Sequence, residues 1–221
     1  MNPTNSNRAT RAFTLTELLV VVAIILVLFA MLLPVNREHE RPTTMVCLSN
    51  LKQMNIGFIL YLSDHGNQFP WQVSTNKGGT AELISSGLAS DHFSKLSGYS
   101  VQPKAFVCPS DTTRRVATSY AGFSNTNLSY FIALDAVTNN LYGMLLGDRH
   151  LQIGRQLLKP GLHSMTTNDV PGWTTELHWN KNSSNRGNLA FTDGHAELVK
   201  THKLPEYFQR QSLATNRLVI P

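Results

Sequence analysis

Two kinds of hydrophobic pattern divide the chain. From Leu18 to Val35 no residue is charged, and Leu, Val and Ile predominate. A run without a polar stripe predicts a helix that is apolar all round rather than one lying on a surface. At 1.5 Å per residue it reaches about 27 Å, close to the hydrocarbon thickness of a bilayer. Arg8 and Arg11 precede it, so the positive-inside tendency predicts a cytoplasmic N-terminus and an exported remainder. After Pro34 comes the charged stretch NREHERPTT, broken by Pro42. Leu48, Leu51, Met54, Phe58, Tyr61 and Leu62 then recur at helical spacing. They predict an amphipathic helix capped by Thr43 or Thr44, ended by Gly66, continuing the first helix through a kink and packing on a head.

Beyond Gly66 helical periodicity fades. NKGGTAELISSGLASDH predicts a short helix between glycines, and KAFVCPSD a strand ending at Pro109. In LSYFIALD, Leu128, Tyr130, Ile132 and Leu134 alternate as in a half-buried strand. LYGMLLGDRHLQIG reads as two strands around Gly147–Asp148. GNLAFTDGHAELV is the clearest hairpin, its β-rich runs joined by Asp193–Gly194 as a two-residue type I′ turn. The last twenty residues carry no assignable pattern. The expected fold class is α+β: a long N-terminal helix, membrane-spanning in its first half, packed on a mostly antiparallel β head. The expected organisation is a basic leader over 1–12, a transmembrane or filament-core helix over 13–35, a linker and amphipathic continuation over 36–65, and a globular head over 66–221.

Composition changes this picture little. With 221 residues and 42% hydrophobic positions the head can bury a real core. The net charge of +5 is partly spent on Arg8 and Arg11, and the rest is too scattered to suggest nucleic acid. Cys47 and Cys108 are the two cysteines, outside any C-x-x-C, and in an exported domain one pair reads most simply as one disulfide. No G-x-S-x-G, P-loop or H-E-x-x-H occurs, so neither an enzyme nor a cofactor is expected. His163, His178, Asp193 and His195 are residue types that ligate metals. The needs of a tight turn already explain Asp193 and Gly194, and no metal is expected. Trp71, Trp173 and Trp179 read as core or interface residues, and WNKNSSNRGN as an exposed loop.

A carboxylate at Glu17 sits oddly at the head of an apolar run, because burying one in hydrocarbon costs about 3 kcal/mol on insertion scales. FAMLLPVNREHE offers no A-x-A site for a cleavable secretory signal, and Cys47 is too distant for a lipoprotein. AFTLTELLVVVAIILVLFAMLLP resembles the N-terminus of type IV prepilins and type II secretion pseudopilins. The resemblance implies cleavage between Ala12 and Phe13 by a prepilin peptidase and methylation of the new amine of Phe13. It makes Glu17 an assembly residue, pairing with the amine of a neighbouring subunit, and Pro34 the helix-perturbing proline. Ala12 departs from the glycine usual before the cut.

VCLSNLKQMNIGFILYLSDHGNQFP, FVCPSD, Ser119–Tyr120 and GNLAFTDGHAEL extend the likeness to a planctomycete and verrucomicrobial subfamily of prepilin-like proteins. Its C-terminal motif is His, nine residues, then Asp-Gly. Asp193–Gly194 matches the Asp-Gly, and His178 is the candidate His, with a longer spacing through WNKNSSN. The implied partners are the prepilin peptidase, other pilin or pseudopilin subunits, inner-membrane assembly machinery and membrane lipid. A membrane-tethered module binding a glycan, metal or cargo is the alternative, and it would tolerate Glu17→Leu.

Overall fold

Residues 14–32, 40–140, 142–175, 177–178, 185–211 and 213–221 are described by the structure, a computed structural model. The chain divides into two compact units, Met1–Glu38 and His39–Pro221. In the first, α1 (Leu15–Leu32) is a helix of Leu, Val and Ile whose apolar side chains are exposed on every face from Leu15 to Phe29. Among the described residues no helix is long and apolar enough to cross a membrane. The expected span over 13–35 is therefore not met by the described helix. Its 18 residues give about 27 Å against roughly 30 Å of hydrocarbon, with Glu17 among them. Phe13, Ala12, the basic leader, Pro34 and the predicted kink lie outside the described residues.

The second unit begins with α2 (Glu40–Asp64). This helix starts ahead of Pro42, not at Thr43 or Thr44: a proline in the first turn gives up no helical hydrogen bond. Thr44 is instead a buried residue within the helix. Of the predicted stripe Leu51, Met54, Phe58, Tyr61 and Leu62 are buried and Leu48 is half-buried, with Cys47, Asn50 and Asn55 on the same face. Gly66 ends the helix at φ +62°, and Asn67 N–H bonds back to the Leu62 carbonyl at 2.9 Å. That is a left-handed glycine cap.

Glycines frame a 3₁₀ turn at Ala81–Ser86, followed by α3 (Ala89–Phe93). KAFVCPSD is not a strand. Pro103 opens a 3₁₀ turn, Pro103–Phe106, because its fixed φ suits that position. Ala105, Phe106 and Cys108 then face inward.

Among the described residues nine strands follow: β1 (Tyr130–Ala133), β2 (Met144–Asp148), β3 (Leu151–Ile153), β4 (Gln156–Leu157), β5 (Gly161–Thr166), β6 (Pro171–Trp173), β7 (Arg186–Phe191), β8 (Ala196–Lys200) and β9 (Thr215–Ile220), with α4 (Leu204–Gln209) before the last. They form a six-stranded sheet of order β5-β9-β1-β2-β7-β8 and a three-stranded sheet of order β4-β3-β6. Every pairing is antiparallel. The fold class is α+β.

The large sheet separates two cores. Tyr130, Ile132, Leu146, Ala190 and Val219 share one cluster with Leu51, Met54 and Phe58 of α2. Phe131, Ala133, Leu189, Leu218 and Ile220 share the other with Leu151, Trp173, Leu204 and Phe208. β1 is thus buried on both faces rather than half-buried, its alternation sorting side chains between two cores. Gly147 and Asp148 lie inside β2, not between strands. Gly147 pairs with Phe131, and a Cβ there would stand 2.5 Å from the Phe131 ring.

The predicted hairpin is β7–β8, but its turn is not type I′. Gly194 is at φ +95°, while Asp193 is not in the left-handed region. Gly194 N–H bonds to the Phe191 carbonyl and Phe191 N–H to the His195 carbonyl, both at 3.0 Å. That is a three-residue loop in which glycine alone supplies the positive φ.

Candidate functional site

The candidate residues fall in two places, one in each unit. At the start of α1, Thr14 and Glu17 bond reciprocally. The Thr14 N–H and hydroxyl donate to Glu17 Oε2 at 2.8 and 2.7 Å, and Glu17 N–H donates to Thr14 Oγ1 at 3.3 Å. The sequence Thr-x-x-Glu is a capping box: it satisfies amides that the first turn leaves without partners. The carboxylate also lies where the helix dipole favours negative charge. The described chain therefore gives Glu17 a local partner that the resemblance alone did not suggest.

In the second unit a polar cluster is buried between α2 and the large sheet. Cys47 on α2 and Cys108, just after the Pro103–Phe106 turn, form a disulfide with a Cα–Cα distance of 5.3 Å. His178 Nε2 stands 3.7 Å from Cys108 Sγ, 3.3 Å from Asp148 Oδ2 and 3.0 Å from Asn188 Nδ2. His178 Nδ1 faces the Thr44 hydroxyl at 3.4 Å. Asp148 Oδ2 also accepts from the Asn188 backbone N–H at 2.7 Å and its side-chain amide at 3.0 Å. The His178 and Asp148 side chains are each 1% exposed.

Strand register explains the placement. Asp148 ends β2 opposite Tyr130 of β1, and Asn188 lies on β7, the strand paired with β2. Asn50, from α2, donates to the Val107 carbonyl at 3.1 Å and approaches the Tyr130 hydroxyl at 3.4 Å. Burial, and then the nearby Asp148 charge, push the Tyr130 hydroxyl well above its ordinary pKa. Among the described residues Asp148 has no Lys or Arg partner, and its Oδ1 has no hydrogen bond. Asp148 Oδ2 thus takes its hydrogen bonds from Asn188, with the imidazole of His178 beside it.

The predicted turn residues do not join this cluster directly. His195 Nδ1 and backbone N–H both approach Asp193 Oδ1, at 2.5 and 3.0 Å, and the His195 ring stacks on Phe191 at 4.3 Å. These groups are largely exposed and serve the turn. His178 reaches the hairpin through Asn188, five positions before Asp193. The three-ligand group the described residues bring together is Cys47, Cys108 and His178, with ligand atoms within 4.8 Å of one another. His163, also considered from sequence, instead contacts the Lys159 carbonyl. Trp71 and Trp173 are core residues, and Trp179 lies outside the described residues. Sequence reasoning missed Asp148 and Asn188. Asp148 stands in an otherwise apolar strand, MLLGD, and such a carboxylate was the available signal.

The prokaryotic N-terminal methylation motif matches residues 7–33. The chain thus carries the prepilin-type N-terminal signature. No curated protein and no solved structure is significantly similar to the chain.

Proposed function

We propose that this protein is a prepilin-like structural subunit of a type IV pilus or a type II secretion pseudopilus, without catalytic activity of its own. A prepilin peptidase cuts it between Ala12 and Phe13, the new amine is methylated, and subunits assemble through the N-terminal helix. The observation that carries this reading is the methylation motif at residues 7–33.

The exposed apolar surface of α1 supports it. Leu18, Leu26 and Phe29 are all more than half exposed, and burial against neighbouring helices or lipid would recover about 25 cal/mol for each Å² removed from water. Before assembly the apolar sequence from Leu18 to Val35 holds the precursor in the inner membrane, with the N-terminus cytoplasmic and the head periplasmic. Glu17 then has two partners. Thr14 caps it in the single chain, and the methylated amine of a neighbour's Phe13 pairs with it in the filament. A cationic partner is what lets a carboxylate persist among apolar helices.

Mass measurement of the N-terminal peptide from native membranes tests the reading. A peptide starting at methylated Phe13 is the expected result. A chain still beginning at Met1 would overturn it in favour of a tethered binding module.

A further inference from the structure

We infer that Cys47, Cys108 and His178 form a site for a zinc-class divalent ion when the disulfide between the two cysteines is reduced. The inference is independent of the filament reading and concerns only the head.

Three observations carry it. First, the ligand atoms of the three residues already lie within 4.8 Å of one another, and all three residues are buried. With metal–sulfur and metal–nitrogen bonds of about 2.3 and 2.05 Å, a tetrahedral site has S···N edges of roughly 3.5 Å. Cys108 Sγ and His178 Nε2 are 3.7 Å apart. Opening the S–S bond to the roughly 3.8 Å edge between two thiolates on one ion is the main movement needed.

Second, His178 is held for ligation. Its Nδ1 faces the Thr44 hydroxyl, a partner able to accept the Nδ1 proton, and its Nε2 lies toward Cys108 Sγ with the Asn188 amide at 3.0 Å, which must turn aside for an ion to bind. Third, Asp148 Oδ2 stands 3.3 Å from the same nitrogen and helps fix the imidazole in place from outside the three-ligand group. The donor set of two thiolates and one imidazole suits zinc, with water in the fourth position.

The disulfide and the ion are alternative crosslinks between α2 and the segment after Phe106. Passing from one to the other consumes a dithiol. Its two thiols are oxidised to a disulfide, the Cys47–Cys108 bond takes up two electrons and two protons, and the ion then displaces both protons from the cysteines.

The test uses the full chain in detergent micelles, reduced with a phosphine and given Co²⁺ without oxygen. One Co²⁺ per chain is expected, with thiolate-to-cobalt charge-transfer absorption and the intense visible bands of a tetrahedral site. Cys47→Ser and Cys108→Ser should each remove the charge-transfer intensity of one sulfur. His178→Ala should weaken binding at least tenfold, and the oxidised chain should show none of these bands. Zn²⁺ should displace Co²⁺ and protect both thiols from alkylation. If reduction unfolds the head, Zn²⁺ should restore its far-ultraviolet circular dichroism. The inference fails if the reduced chain binds no Co²⁺, if His178→Ala leaves the bands unchanged, or if an unfolded reduced head is not restored by Zn²⁺.

Discussion

α1 and α2 are the two long described helices, and they use their apolar side chains in opposite ways. On α2 the apolar positions recur at helical spacing, and Leu51, Met54 and Phe58 are fully buried within their own unit. On α1 nearly every position is apolar, and Leu18, Leu26 and Phe29 are exposed. A stripe on one face is solved by one packing partner; a helix apolar all round gains stability only when surrounded. The contrast separates two roles in one chain. α2 is part of a fold, and the function proposed for α1 lies between molecules.

Breaking the α2 side of the contrast should have the largest effect. Phe58 lies edge-on to Trp71 at 5.6 Å and tilted against Phe93 at 5.9 Å. Phe58→Ala should destabilise the head by about 3–5 kcal/mol, read as a lower urea midpoint in full-chain unfolding followed by tryptophan fluorescence. An unchanged midpoint would mean that α2 is not integral to the head.

Reducing the disulfide attacks the same helix on the same buried face, through a covalent crosslink instead of packing. Cys47 and Cys108 are separated by 61 positions, and closing a loop of that length is worth about 4 kcal/mol in the chain-entropy account. Paired urea titrations of oxidised and reduced chain should differ by roughly that amount in metal-free buffer. Added Zn²⁺ should recover part of it if the reduced site binds metal. Equal stability of the two forms would show that the core alone fixes α2.

Much of this division was legible in sequence, for reasons that differ by region. The α2 stripe and the Gly66 stop carry local signals, periodicity and a left-handed cap, so the prediction needed no tertiary information. The β7–β8 hairpin was legible as an element, yet its turn type was not. Asp-Gly fits either a two-residue turn or a longer loop, and which one forms depends on the register Ala190↔Ala196 set by the paired strands. β9 was missed because Leu218, Val219 and Ile220 make a short apolar run with no alternation to read; the strand lies between β5 and β1, and these three residues are buried on both of its faces. The KAFVCPSD error has the same root, since apolar residues facing a core look alike in a strand and in a 3₁₀ turn. Of the buried cluster, Cys47, Cys108 and His178 were visible as residue types. Their meeting with Asp148 and Asn188 was not, because it is created by pairing β2 with β7.

A gentler perturbation sharpens the contrast by charge. Asp111 is bound by Arg149 Nε at 2.7 Å and by the Thr113 hydroxyl at 2.7 Å. Burial alone would raise its pKa, but these hydrogen bonds and the Arg149 charge outweigh it and hold the carboxyl at about 2. Because the folded value lies below the unfolded value of about 3.9, the pair's stabilisation is fully present above pH 4 and is lost as pH falls toward 2. The loss should be about 2 kcal/mol. Head stability measured between those pH values should fall more steeply in the native chain than in Asp111→Asn, and equal slopes would reject the pair as the cause.

The smallest expected change in stability belongs to α1. Leu26 is 64% exposed, so Leu26→Ala removes no packing within the chain and should move the head's unfolding free energy by less than about 0.5 kcal/mol. The same substitution takes apolar surface from the face proposed to meet neighbouring subunits, and filament yield should drop while processing at Phe13 continues. The two readouts must be made on the same preparation, because the contrast between the helices predicts that they diverge. A variant that lost stability together with assembly would place Leu26 inside the fold. One that kept both would remove α1 packing at this position from the assembly mechanism.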